Sequence, residues 1–349
     1  MRIRRSPWKA IVASCLTLAA ALAGWASPTA DGATKTLVAL GDSYSSGTGA
    51  GSYLADGTGC YRSLGTYSGV IAGQYGLALN LQACSGAVTN DVLDRQLGAL
   101  GSSTSYVTIS IGGNDVGFAD VVTECAKPGW MGDCDGAITR ALWIAENDLP
   151  TRLDRVYSAI RSRAPYAKVV VAGYPRLFNG SDCHIATFFS GSEMSRLNSA
   201  ADRLSQITAA AAAKRGFSYA DVRSPFVGHA VCDSAEWIHN VRITNITESF
   251  HPKSTGYRSG YAPVVANRLG LGAGTLSTRA TNVRVTTGGT TSSDTTRGRF
   301  VAPDLTSAEA RAAARRAGVS PAELEAMVRA QRSGAGNAQL ERMSEAATR

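Results

Sequence analysis

The sequence predicts an α/β fold, a central five-stranded parallel sheet with helices packed on both faces. Three observations lead there. Short apolar runs of strand length alternate with longer stretches of helical periodicity between Leu37 and Leu269. The runs are nearly continuous in apolar character, as parallel strands buried on both faces are. Each of the first three stops at glycine or small polar residues, the usual exit from a strand into a tight turn.

The first strand is Leu37-Val38-Ala39-Leu40, ending at Gly41-Asp42-Ser43-Tyr44. A Gly-rich loop over 47–59 leads to a helical stretch around Thr66–Tyr75. Ala78–Ser85 is the second strand, stopping at Cys84-Ser85-Gly86. Ser105–Ile111, β-branched and apolar, is the third, and Gly112-Gly113-Asn114-Asp115 closes it. A cysteine-framed loop over 118–136 precedes a long helix from about Ala137 to Arg163, where Leu142, Leu149, Leu153, Val156 and Ile160 recur at helical spacing. Lys168–Ala172 is the fourth strand and Phe217–Val222 the fifth, separated by a helix over Ser192–Arg215. A loop containing Cys232 follows, then a last helix over Ser254–Leu269. Right-handed crossovers put the ends of parallel strands on one edge. Ser43, Gly86 and Asn114 should therefore meet there, where open α/β sheets hold their ligands.

Composition bounds the class. The chain opens with Arg2, Arg4, Arg5 and Lys9, then an apolar run from Ala10 to Trp25 and small residues at Ala26 and Ala30. That order reads as a secretory signal peptide over 1–30, removed on export, rather than a stable membrane span. The net charge of +8 divides unevenly. Residues 31–272 carry 20 basic and 20 acidic side chains, which leaves no electrostatic footprint for nucleic acid. Without Cys15 six cysteines remain, and an even set in an exported protein implies disulfides. Six cysteines allow 15 pairings, and the sequence alone does not choose. Sequence neighbours, Cys60–Cys84, Cys125–Cys134 and Cys183–Cys232, are the working expectation. Neither Cys-x-x-Cys nor His-rich spacing is present, so no metal site is expected.

Ser43 needs a base to become a nucleophile, and histidine is the usual one near neutral pH. Of four histidines, His251 precedes Pro252 and Ser254 at the start of the last helix, on a loop at the sheet's edge. His184 and His229 lie beside Cys183 and Cys232, and His239 reads as a loop histidine. A group must also hold the imidazole Nδ1–H. Glu248, three residues before His251, is the nearest carboxylate, and a backbone carbonyl near position 248 is the alternative. The Ser43 N–H, the Gly86 N–H and the Asn114 amide are candidate donors to an oxyanion.

Gly41-Asp42-Ser43-Tyr44, Gly86, Gly112-Gly113-Asn114-Asp115 and His251 together resemble the four blocks of the SGNH (GDSL-type) hydrolases. The resemblance covers most of 36–271, and in detail the chain looks like the secreted lipases and esterases of Streptomyces and related actinobacteria, including their six-cysteine framework. It implies a three-layer, flavodoxin-like fold with no cofactor. It also implies Ser43 as nucleophile, His251 as base and acid, and an oxyanion hole from Ser43, Gly86 and Asn114. The family usually has Asp where this chain has Glu248, and some members use a main-chain carbonyl instead. Gly-x-Ser-x-Gly is absent, which argues against an α/β-hydrolase nucleophile elbow.

These observations anticipate a secreted, monomeric serine ester hydrolase over 31–271, a lipase or esterase acting on acyl-ester or lipid substrates. Phospholipase A-type and acetyl-polysaccharide esterase activities use the same chemistry. A non-catalytic lipid- or glycan-binding module is the distant alternative, and it should have lost at least one of the four blocks. The loops 47–66, 118–136 and 176–192 are expected to line the acyl pocket. Residues 272–302, rich in Thr, Ser and Gly, read as a flexible linker. Capping boxes at Thr306 and Ser320 predict short helices near 307–317 and 321–332, with a third near 337–347. Their apolar content is mostly Ala, so the 303–349 extension is expected to be partly ordered and to contact a partner, if any, that the sequence does not identify.

Overall fold

The computed structural model of the chain describes residues 34–184, 187–272, 285–287, 297–334 and 337–347. The signal segment 1–30 and most of 272–302 lie outside them. The strands are β1 (Thr36–Gly41), β2 (Ala78–Leu81), β3 (Tyr106–Ser110), β4 (Lys168–Ala172), β5 (Ser218–Ala220) and β6 (Val285–Thr287). They form one parallel sheet in the order β5-β4-β3-β1-β2-β6. Among the described residues the sheet thus has six strands rather than five. The added one comes from the segment expected as linker and pairs along the open edge of β2, Leu79 against Val285. A short Val-Thr-Thr run is too weak a local signal to announce an edge strand.

The pleat explains why both faces are covered. Leu37 and Ala39 of β1 enter one apolar core, and Val38 and Leu40 enter the other. In β4, Val170 and Ala172 join the first core, Val169 and Val171 the second. With period-2 side chains, an all-apolar strand must be buried on both sides. The helices are α1 (Ser43–Ser46), α2 (Tyr67–Tyr75), α3 (Thr89–Asp91), α4 (Phe118–Cys125), α5 (Cys134–Asn147), α6 (Leu149–Arg163), α7 (Gly191–Lys214) and α8 (Ala262–Arg268). Helices α2 and α8 cover the first core, α6 the second.

Two further elements differ from the sequence reading. The expected long helix is split into α5 and α6 at Asp148, because Pro150 lacks the N–H needed inside a helix and is suited to the first turn of one. The expected loop over 118–136 contains α4, whose Val121 and Val122 are buried. Disulfides join Cys60 to Cys84, Cys125 to Cys134 and Cys183 to Cys232. The first ties the loop before α2 to the chain leaving β2, next to Gly86.

The C-terminal extension is more ordered than its composition suggests. It forms α9 (Ala308–Ala317), α10 (Pro321–Arg332) and α11 (Asn337–Ala346). Ser307 caps α9 by accepting from the Ala310 N–H, and Ser320 and Glu323 make a reciprocal capping box on α10. Leu305, Leu324, Met327 and Leu340 close around Phe188, with Trp130 and Met131 against them. The missing apolar mass comes from the main domain. Among the described residues, no helix is long and apolar enough to cross a membrane.

Candidate active site

The site begins with the turn that ends β1. Gly41 has φ +116°, and a Cβ there would sit 2.1 Å from the Ser110 carbonyl oxygen of β3, so only glycine fits. The Gln96 side chain brackets this glycine, its Oε1 accepting from the Gly41 N–H at 2.7 Å and its Nε2 donating to the Gly41 carbonyl at 2.9 Å. Sequence reasoning missed Gln96, since a glutamine after a short helical turn carries no motif. Asp42 then caps α1. Its Oδ1 accepts from the Tyr44 N–H at 3.0 Å and the Ser110 hydroxyl at 2.8 Å, while its Oδ2 accepts from the Tyr174 hydroxyl. Tyr174 in turn accepts from the Gly113 N–H at 3.1 Å, which couples the Ser43 turn to the turn after β3. Complete burial pushes the Asp42 carboxyl up to about 6 against these hydrogen bonds.

Ser43 opens α1 and is 7% exposed. His251 Nε2 lies 2.7 Å from its Oγ although 208 residues separate them. The bend that delivers His251 is Phe250, a non-glycine residue at φ +61°. Such a conformation costs about 1–3 kcal/mol and persists only where packing over-determines it. Here the Phe250 ring packs on Phe178 and Phe189, and its carbonyl accepts from the Tyr44 hydroxyl at 2.7 Å.

The Nδ1 atom of His251 faces the Ser249 carbonyl at 3.0 Å. Glu248 is placed elsewhere. Its Oε1 accepts from the Tyr53 hydroxyl at 2.6 Å, and its Oε2 lies 3.1 Å from Arg242 Nε. The carboxylate nearest in sequence is therefore not the group at the imidazole, because the tight turn through Ser249 and Phe250 brings a main-chain oxygen there first. Burial pushes His251 down from 6.5 to about 4, against the Ser249 carbonyl, which favours the charged ring. As the pH falls, the unfolded chain takes up this proton first. The group's contribution to stability is complete above about 6.5 and is lost between there and about 4. Glu248→Gln is expected to hold kcat/KM within about fivefold and to leave an acid limb below the ordinary histidine value, near 4. A loss of a hundredfold or more in a pH series of that variant would return the carboxylate to the triad.

Gly86 and Asn114 arrive at the same edge. The N–H groups of Ser43 and Gly86 have no partner among the described residues. Asn114 Nδ2 donates to the Ala87 carbonyl at 3.0 Å, which orients the amide and leaves its second N–H for another acceptor. The other histidines are occupied elsewhere. His229 stacks on Trp237 at 3.6 Å, and His239 Nε2 lies 2.8 Å from the Gly49 carbonyl.

From Ser43 an apolar pocket runs between α4, α5 and α7, lined by Val121, Ile138, Leu142, Leu197, Ala201 and Leu204. Among the described residues, Asp42 is the one carboxylate lining it, and no Lys or Arg does. Of the three loops expected there, the start of 118–136 and Leu177 take part, whereas 47–66 does not. That loop lies on the Glu248 side instead, where Tyr53 meets the carboxylate.

Residues 39–259 match the GDSL-like Lipase/Acylhydrolase family. The chain is 44% identical over 273 residues to a lipase of Streptomyces rimosus, spanning 76% of this chain and 98% of that one. It is 43% identical over 258 residues to Lipase 1 of Streptomyces coelicolor, spanning 72% and 95% respectively. Among solved structures, the phospholipase A1 of Streptomyces albidoflavus superposes with a TM-score of 0.63 at 42% identity, covering 68% of this chain and all of that one. The extracellular lipase of Streptomyces rimosus also gives 0.63, at 43% identity, covering 67% and all.

Proposed function

The chain belongs to the GDSL-like lipase/acylhydrolase family and is a carboxylic ester hydrolase of the SGNH type; on that footing we propose that it is an exported lipase cleaving long-chain acyl esters with Ser43 and His251. The observation that carries this reading is the 2.7 Å Ser43–His251 contact at the mouth of an apolar pocket.

The chemistry follows from the geometry. His251 Nε2 accepts the Ser43 proton as Oγ bonds to the ester carbonyl carbon, and the carbonyl electron pair moves onto oxygen. That oxyanion is received by the Ser43 and Gly86 N–H groups and the spare Asn114 N–H. The intermediate collapses, the bond to the alcohol oxygen breaks, and the imidazolium hands its proton to the departing alcohol. Water, deprotonated by the same ring, then attacks the acyl carbon, the bond to Ser43 Oγ breaks to release the acid, and the imidazolium returns its proton to Ser43 Oγ. The Ser249 carbonyl holds the tautomer throughout.

Pocket length separates the candidate substrates. Ile138, Leu142 and Ala145 line two turns of α5, about 10 Å of helix. An acetyl group would leave that apolar wall unused, which disfavours acetyl-polysaccharide esters. Phospholipids stay in the comparison because the Streptomyces albidoflavus structure is that of a phospholipase A1. The test is a p-nitrophenyl ester series from acetate to palmitate beside a phospholipid, repeated on Ala201→Trp, which fills the pocket from α7. The wild type should prefer medium or long chains. Ala201→Trp should cut kcat/KM for laurate about tenfold or more and leave acetate within about twofold. An acetate preference in the wild type would overturn the assignment.

A further inference from the structure

The segment Arg297–Phe300, just before the C-terminal helices, crosses the site. Gly298 and Phe300 line the pocket that also holds Ser43 and His251. A Cβ on Gly298 would stand 2.6 Å from Asn114 Oδ1 and 3.3 Å from the Gly86 Cα, and one on Gly86 would stand 2.6 Å from the Arg297 carbonyl oxygen. The backbone of 297–298 thus lies directly against both residues beside the nucleophile. Gly298 has φ +75°, and any side chain pointing at Asn114 would be excluded by the same contact. The Phe300 ring is 4% exposed and packs edge-on against Phe250, 5.1 Å away, on the residue that aims His251.

The segment is tied to the main domain at both ends. Arg297 Nη1 lies 2.9 Å from Asp91 Oδ2, and the Val301 N–H donates to Thr123 Oγ1 at 3.0 Å. Beyond it, Lys127 Nζ lies 3.6 Å from Glu309 Oε1, and the small core of α9–α11 closes on Trp130, Met131 and Phe188. The family match ends at residue 259, and the two solved relatives are covered over their whole length by about two thirds of this chain, so the strap and its helices lie beyond the matched family segment.

We propose that Arg297–Phe300 is an intramolecular strap that competes with substrate, its backbone occupying the approach to Gly86 and Asn114 and its Phe300 ring the apolar mouth an acyl chain must enter. This rests on the reading of Gly86 and Asn114 as oxyanion donors. The chain is then held largely closed, and an ester binds only in the fraction of molecules whose strap has lifted. Apparent affinity is lowered by that fraction, and weakening the strap raises it.

The test uses the full-length protein and the variants Phe300→Ala, Gly298→Val and Arg297→Ala. Two rates are read on each: labelling of Ser43 by a small alkyl fluorophosphonate, and kcat/KM for p-nitrophenyl butyrate. Phe300→Ala and Gly298→Val should raise both about fivefold or more, mainly through KM, and Arg297→Ala about twofold. Arg297 lies partly at the surface, with 37% of its side chain exposed, so that variant decides the matter if either of the others fails to fold. Rates unchanged or lowered in folded variants overturn the proposal and make the strap a wall of the substrate site. No labelling of Ser43 in parent and variants alike would instead overturn the catalytic assignment beneath it.

Discussion

Ser43→Ala is expected to lower kcat for ester hydrolysis by about 10⁴- to 10⁶-fold and to abolish fluorophosphonate labelling. In the proposed mechanism the Ser43 oxygen bonds to the acyl carbon, and no other hydroxyl is within hydrogen-bond reach of His251 Nε2 among the described residues. The fold should survive. The variant loses one hydrogen bond at a 7% exposed position, which is worth about 1 kcal/mol, while Asp42, Gln96 and Tyr174 still hold the turn. Matched thermal unfolding with activity removed is therefore the expected pair of results. Hydrolysis persisting within about tenfold of the parent would place the nucleophile elsewhere.

Asn114→Ala should cost about 10² to 10³ in kcat with little change in KM, since in the proposed mechanism its spare N–H receives charge that develops only in the transition state. Its other N–H is taken by the Ala87 carbonyl at 3.0 Å, so the amide is already oriented before substrate arrives. That preorganisation is what makes one donor worth several kcal/mol. The Ser43 and Gly86 N–H groups, both without partners among the described residues, remain in the variant and set the residual rate. A kcat within threefold of the parent would remove Asn114 from the oxyanion site. Comparison with Ser43→Ala separates the two roles, because Asn114→Ala should still be labelled, only slowly.

Much of this site was legible before any coordinates. Gly41-Asp42-Ser43, Gly86 and Asn114 each follow a short apolar run, and parallel topology alone requires those run ends to share an edge. Their side chains or amides meet there. His251 was legible as a loop histidine before the last helix. Glu248 marks where that reasoning stopped. Its distance in sequence made it the natural partner of the imidazole, but a φ of +61° at Phe250 presents the Ser249 carbonyl to Nδ1 and leaves the carboxylate to Tyr53 and Arg242. Gln96 and Tyr174 were not legible at all. Each acts on the nucleophile turn through a single long-range hydrogen bond or pair, and such contacts leave no periodicity behind.

The α/β architecture, the turn at Ser43 and the order of the four family blocks are written locally in the sequence, because strand burial, turn chemistry and capping are encoded within a few residues of where they act. Long-range packing set the rest. It added the sixth strand, set the main-chain oxygen of Ser249 behind His251 and laid Arg297–Phe300 across Gly86 and Asn114. Each joins residues far apart in the chain or depends on how a loop is packed, and a weakly apolar segment acquires its structure from the surface that receives it. For the strap that surface is the active site.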